Sequence, residues 1–238
     1  MLPVINHVKF FDKLPISEKE ISFRPLTVRE EKVLLLAYQS KDNKTIINGI
    51  KDILQTCSGE DVSKLHIMDL EYLLILIRAA SVTNIVDIQT INPVDEKEYS
   101  FQIDLNKILR ELKFQKPDKK IMLTENGGLY MKDFTIDLIM EMDQNNDTEI
   151  GTLISCIDYV WTEVDGEEVL TKIDLKDPTS TISRKELEEW FDTFGHSQME
   201  AISKYMNNIP RVKYVHTYKT EDGSNGSVTL EGMNDFLQ

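Results

Sequence analysis

The chain has 238 residues, 41% hydrophobic and 29% charged, the make-up of an ordinary globular protein with one large domain or two smaller ones. Its 41 acidic residues against 27 basic ones leave a net charge of −14, which argues against nucleic acid, since phosphate binding needs a surplus of Lys and Arg. The longest apolar run, Leu73 to Ile77, stops at Arg78, far short of the roughly 20 residues of a membrane helix. Met1-Leu2-Pro3-Val4 has neither the basic nor the apolar region of a signal peptide.

Val8 to Phe11 and Glu20 to Arg24 read as a hairpin joined through Leu14-Pro15-Ile16-Ser17. Ile21 and Phe23 alternate with Ser22 and Arg24, and Pro25, which lacks a backbone donor, ends the ladder. Thr27 and Glu30 then have the spacing of a capping box, so Pro25, Thr27 and Glu30 form a strand-to-helix joint. Val33 to Ala37 is expected to supply that helix's buried stripe. A second helix begins near Asp42 or Asn43. Its apolar residues Ile46, Ile47, Ile50, Ile53, Leu54 and Cys57 recur three and four apart, and Gly59 closes it. The third, from about His66 to Ala80, is apolar almost all round, and is therefore central in the fold or part of an oligomeric contact.

The period then changes to two. Ile85 to Ile91 and Tyr99 to Leu105 read as strands around Asn92-Pro93-Val94-Asp95, and Ile121 to Thr124 and Leu129 to Met131 as strands around Asn126-Gly127. Helices are expected over Phe134–Met142, Thr148–Val160, Ser183–Phe194 and Ser197–Asn208, with a flexible loop from Asp165 to Ser180. Ser183 and Glu186 repeat the capping-box spacing. Val212–Lys219 and Gly226–Leu230 make a closing hairpin, followed by a short helix over Gly232–Leu237. The fold class is α+β, helices with hairpins at the N-terminus, in mid-chain and at the C-terminus. A division into 1–133 and 134–238 is expected, with a single domain as the alternative.

Signals of chemistry are sparse. Asp143 to Asp147 starts like a calcium loop, but Thr148 stands where the sharp turn needs Gly and Ile154 where the closing Glu belongs. His7, His66, His196 and His216 are dispersed, and Cys57 and Cys156 lie apart in apolar contexts, so no metal or cofactor is expected. Gly127-Gly128 lacks the Lys of a phosphate loop, and carboxylate pairs such as Glu163 and Asp165 are common among so many acids. The chain reads as no enzyme. Trp190, Phe191, Phe194 and Tyr205 are core aromatics or interface anchors. Val212, Tyr214 and Tyr218, with Val228 and Leu230, line one face of a closing hairpin too small to stand alone, so the segment from 212 to 238 docks on the body or on a partner. Trp190, Tyr214, Tyr218, Met233, Phe236 and Leu237 are the candidate interaction residues.

Several segments, in order along the chain, resemble one family. They are Lys13-Leu14-Pro15, then Phe23-Arg24-Pro25-Leu26-Thr27-Val28-Arg29-Glu30-Glu31-Lys32, then Asp69-Leu70-Glu71-Tyr72-Leu73 with Arg78-Ala79. Ile209-Pro210 and Leu230-Glu231-Gly232-Met233-Asn234-Asp235-Phe236 complete the set. The family is that of the baseplate hub assembly proteins of T-even-type contractile-tailed bacteriophages. The resemblance implies a non-enzymatic protein acting in assembly of the baseplate central hub, as hub subunit or assembly chaperone. Its partners would be hub or tape-measure proteins, with self-association possible and neither nucleic acid nor membrane involved. It would act in the virion tail or in the host cytoplasm. Some relatives have cysteine pairs in the mid-chain and C-terminal hairpins. Here Thr90-Ile91-Asn92-Pro93 and Thr220-Glu221-Asp222-Gly223 occupy those regions, so hydrogen bonds must hold the turns. The rival from another class is a metal-independent hydrolase or regulatory domain with an acidic cleft.

Overall fold

The computed structural model describes residues 7–40, 42–81, 83–144, 149–177 and 182–236. It is α+β, with hairpins at the N-terminus, in mid-chain and at the C-terminus. Contacts group Met1–Gln115 with Arg211–Gln238 as one unit and Lys116–Pro210 as another. These contacts put the cuts at 115 and 210, the chain after Pro210 returning to the first unit.

Strand β1 (Phe10–Lys13) pairs antiparallel with β2 (Glu20–Phe23), and Ile21 and Phe23 turn inward. Helix α1 (Val28–Gln39) starts directly after Thr27. Helix α2 (Asn43–Ser58) is capped by Asp42, whose side chain accepts from the Thr45 N–H. Its Ile46, Ile50, Ile53, Leu54 and Cys57 are buried, as their spacing requires. Gly59 ends it at φ 74°, its N–H reaching the Gln55 carbonyl at 2.8 Å. Helix α3 (Ile67–Ser81) is the interior helix of this unit, buried from Ile67 to Glu71 and from Leu73 to Ile77. Strands β3 (Ile85–Ile91) and β4 (Glu98–Asp104) form the mid-chain hairpin and lead into α4 (Leu105–Glu111).

The second unit is built on an antiparallel sheet. Its strands are β5 (Lys120–Thr124), β6 (Gly127–Met131), β7 (Ile157–Val164) and β8 (Glu167–Lys172), in that spatial order. Helices α5 (Ile136–Gln144) and α6 (Glu149–Ser155) lie between β6 and β7 in the chain, and α7 (Arg184–Phe191) and α8 (His196–Asn207) follow β8. Two expectations are corrected. The helix expected to run to Val160 stops at Ser155, with β7 taking over from Ile157, and β8 runs through Glu167–Lys172 of the expected loop. The cause is local: Asp165 (φ 54°) and Gly166 (φ 81°) form the primed hairpin turn, flanked by the β-branched and aromatic run Tyr159-Val160-Trp161-Thr162. At Asn126-Gly127, by contrast, neither residue has positive φ, and Gly127 already belongs to β6. The glycine that matters is Gly128. A Cβ there would lie 1.9 Å from the Ile121 carbonyl oxygen, in the path of the Trp161 indole.

Strand β9 (Lys213–Lys219), β10 (Asn225–Glu231) and α9 (Gly232–Asp235) close the chain on the first unit. Val212, Leu230 and Phe236 enter one core with Met68, Ile75, Val86, Ile88, Ile103 and Leu105. Two carboxylates of α3, both fully buried, tie the ends of the chain to it. Asp69 accepts the N–H groups of Ile16 (2.7 Å) and Ser17 (2.9 Å). Glu71 accepts the Val212 N–H (2.7 Å) and two nitrogens of Arg211 (2.6 and 2.5 Å). Gly232, at φ 78°, sits against this pair; a Cβ there would approach an Arg211 nitrogen to 2.6 Å.

Glu71→Ala would leave the buried Val212 N–H without its acceptor while Arg211, 38% exposed, turns to water, and stranding one buried donor typically costs about 1–3 kcal/mol. Denaturant melts check this. A loss below about 1 kcal/mol, the scale of an exposed pair, would show that the closing hairpin holds without Glu71.

Candidate functional site

The strand-to-helix joint forms as its spacing requires, with one partner more than the sequence reveals. Glu30 accepts from the Thr27 N–H (2.7 Å) and hydroxyl (2.9 Å), while the Thr27 oxygen accepts the Glu30 N–H at 3.4 Å. Arg24 clamps the same carboxylate through both terminal nitrogens, at 2.9 and 2.6 Å, and donates to the Pro25 carbonyl. The Arg24 guanidinium, with help from Thr27, holds the Glu30 carboxyl down at about 2. Leu26 is pinned by the Ser81 hydroxyl (2.8 Å), and the Arg24 N–H by the Cys57 carbonyl (3.0 Å). Neither Arg24 nor Ser81 could be found from a helix or strand period, because their partners lie outside their own elements.

The buried stripe expected at Val33 to Ala37 is corrected. Ala37 alone is buried; Val33, Leu35 and Leu36 are exposed, the last by 66%. Helix α1 faces inward through Glu30, Leu34 and Ala37, spaced four and three apart. The contact is close because it joins small residues, a Cβ on Gly49 of α2 lying 3.2 Å from that of Ala37. Three successive leucines cannot all face one side of a helix, so Leu35 and Leu36 join Val28 outside.

Tyr214 and Tyr218 are half-buried in an aromatic layer across β4 and β9. Phe101 stacks on His216 (4.3 Å between ring centres) and on Tyr218 (5.6 Å), and Tyr99 lies 4.9 Å from Tyr218. The two hairpin tips meet in polar contacts. The Tyr99 hydroxyl donates to Asp95 (2.7 Å) and accepts the Glu221 N–H (3.2 Å), and Lys97 pairs with Glu221. Each turn is also held from within, by Asn92 accepting the Val94 N–H and by Asp222 accepting the Thr220 hydroxyl and the Ser224 N–H. Phe236 is 1% exposed and belongs to the core, so it is unavailable as a partner anchor. Met233 is half-buried, as is Trp190, which packs with Phe191 and Phe194 at centroid distances of 5.9 and 4.8 Å. Leu237 and most of the calcium-like loop lie outside the described residues.

A cleft of about 240 Å³ in the second unit is lined by Lys132, Lys172 and Lys176 as well as Glu141, Asp158 and Asp174. Lys176 pairs with Glu141 (2.9 Å), and Lys132 donates to the Ser155 carbonyl (2.9 Å). The carboxylates are thus interleaved with cations. Among the described residues no group of three His, Cys, Asp or Glu side chains is placed to hold a metal ion. Cys57 and Cys156 are buried, which pushes their thiols up to about 11 and about 12, so both stay protonated and unreactive at neutral pH.

Thr27→Ala removes a helix cap and is expected to cost ~1 kcal/mol; an unchanged thermal midpoint would place the start of α1 elsewhere. Because Glu30 is held below its ordinary value of 4.5, its share of stability is complete above that pH and lost as pH falls toward about 2. Melting midpoints of the wild type should therefore fall more steeply with acid below pH 4.5 than those of Glu30→Gln; parallel curves would show that the clamp contributes nothing. Calcium, zinc or a chelator should leave the midpoint unmoved, and a drop of several degrees with chelator would reveal a bound ion.

The sequence model of the family described as T4 bacteriophage base plate protein matches residues 6–238. No curated protein and no solved structure matches the chain. Among the described residues no helix is long and apolar enough to cross a membrane. With the family model covering nearly its whole length, the chain belongs to the T4 bacteriophage base plate protein family, a family of tail structural proteins that contact other baseplate proteins.

Proposed function

We propose that this baseplate protein acts in assembly of the central hub by docking on a hub or tape-measure subunit, either as a hub subunit itself or as an assembly chaperone. The ordered segments that resemble hub assembly proteins favour this reading. The observation that carries it is the exposed apolar face of α1, Val28, Leu35 and Leu36, on a unit whose other helices turn their apolar faces into a core. Monomeric proteins rarely leave such residues contiguous in water without a partner to cover them. The high negative charge suits a protein that must stay apart from its own copies until it meets that partner.

Affinity purification from infected cells, with mass spectrometry of the captured proteins and of mature virions, tests the proposal. Capture of hub or tape-measure subunits is expected. The chain's presence in virions would make it a hub subunit, and its absence there an assembly chaperone. Capture of no baseplate subunit would overturn the assembly role.

A further inference from the structure

We infer that the outer face of α1 is the docking surface for an amphipathic partner helix whose apolar stripe is flanked by acidic side chains. The inference rests on the docking role proposed above and names its surface and the chemistry of its partner.

The charges of α1 are sorted by face. Glu30 is turned inward onto Arg24, and Glu31 lies near enough to the half-buried Arg78 to act on its charge. Arg29 and Lys32 are exposed, and neither forms an ion pair among the described residues. Both stand on the same side as Val28, Leu35 and Leu36, since residues three, four and seven apart share a helical face. A protein of net charge −14 therefore presents here a stripe of apolar side chains with two unneutralised cations among them. At docking surfaces, charge of one sign selects partners of the other. The same sorting disfavours a second copy seated α1 on α1, which would bring Arg29 and Lys32 against their own kind. A helix suits the shape, because side-chain ridges of one helix fit the grooves of another.

The test uses the full chain and two helical peptides with the same leucine stripe, flanked by glutamates in one and lysines in the other. Fluorescence anisotropy should show the glutamate peptide binding about tenfold more tightly or better, the scale expected when one or two charge pairs form or clash. Arg29→Glu with Lys32→Glu should reverse that preference, and Leu35→Gln with Leu36→Gln should abolish binding of both peptides. All four side chains are exposed, so the melting midpoints should stay with the wild type; Lys32→Glu and Leu35→Gln alone serve if a double variant does not fold. Equal binding of the two peptides, no binding, or binding indifferent to these substitutions would overturn the inference. So would preferential binding to phosphatidylglycerol vesicles over phosphatidylcholine vesicles, or a dimer in light scattering that Leu35→Gln with Leu36→Gln dissolves. The charge-reversed variant also separates this inference from the assembly role in infected cells. Capture of identified baseplate subunits by wild type and variant alike would remove α1 and leave the assembly role standing. Capture by neither would remove the assembly role.

Discussion

Two buried carboxylates on one helix hold the first unit together. Asp69 and Glu71 are two residues apart on α3, and at 3.6 residues per turn such positions point about 200° apart, nearly opposite ways. Asp69 therefore collects the backbone of the turn at Ile16 and Ser17 on one side, and Glu71 collects Arg211 and Val212 on the other. An unpaired carboxylate at such depth would be costly and driven to take up a proton, so each segment gains by staying bound to its own place. Hydrophobic burial of Val212, Leu230 and Phe236 supplies the attraction. The carboxylates supply the direction, because a hydrogen bond has geometry and apolar contact has little.

The joint at Arg24–Glu30 and the clasp at Glu71–Arg211 respond oppositely to acid. Glu30 is turned inward but dominated by its guanidinium, so its charged form is favoured and it strengthens the fold as pH rises toward 4.5. Glu71 is dominated by burial, which raises its carboxyl above the ordinary value despite Arg211. Its contribution is complete below 4.5 and is lost as pH rises through its elevated folded value. Acid thus weakens the Glu30 clamp at the entry to α1, whereas burial already favours the protonated form of Glu71.

What was legible in the sequence was local. The two capping boxes, the hairpins at Ile85–Ile91 and Val212–Leu230, and the left-handed Gly59 each depend on a few consecutive residues, and the α+β class follows from them. The β7–β8 hairpin was hidden because the apolar run through Ile154, Ile157 and Val160 satisfies a helical period as readily as a strand. Asp165-Gly166 was the signal that distinguishes the two. That the closing hairpin must dock was legible in its size, but its place on the first unit was not, since Glu71 and Arg211 are 140 positions apart. The outward face of α1 was hidden for a related reason. A run of three leucines reads as core in any window, and only the close approach of Ala37 to Gly49 decides which side of the helix is inside.

That exposed face also explains why the charge is distributed as it is. Leucines in water on a short helix invite pairing between copies, and the usual protection is a charge placed among them. Acidic residues there would agree with the rest of the surface and protect equally well. In the docking proposed above, Arg29 and Lys32 would lower the barrier to an acidic partner, while the net charge of −14 opposes the approach of whole copies. Long-range repulsion between copies and short-range attraction at one face act at different distances, since ions screen the first beyond about 8–10 Å and the second operates at contact. The proposed docking uses both, with opposite signs: net negative charge over the whole chain and two cations on the outer face of α1.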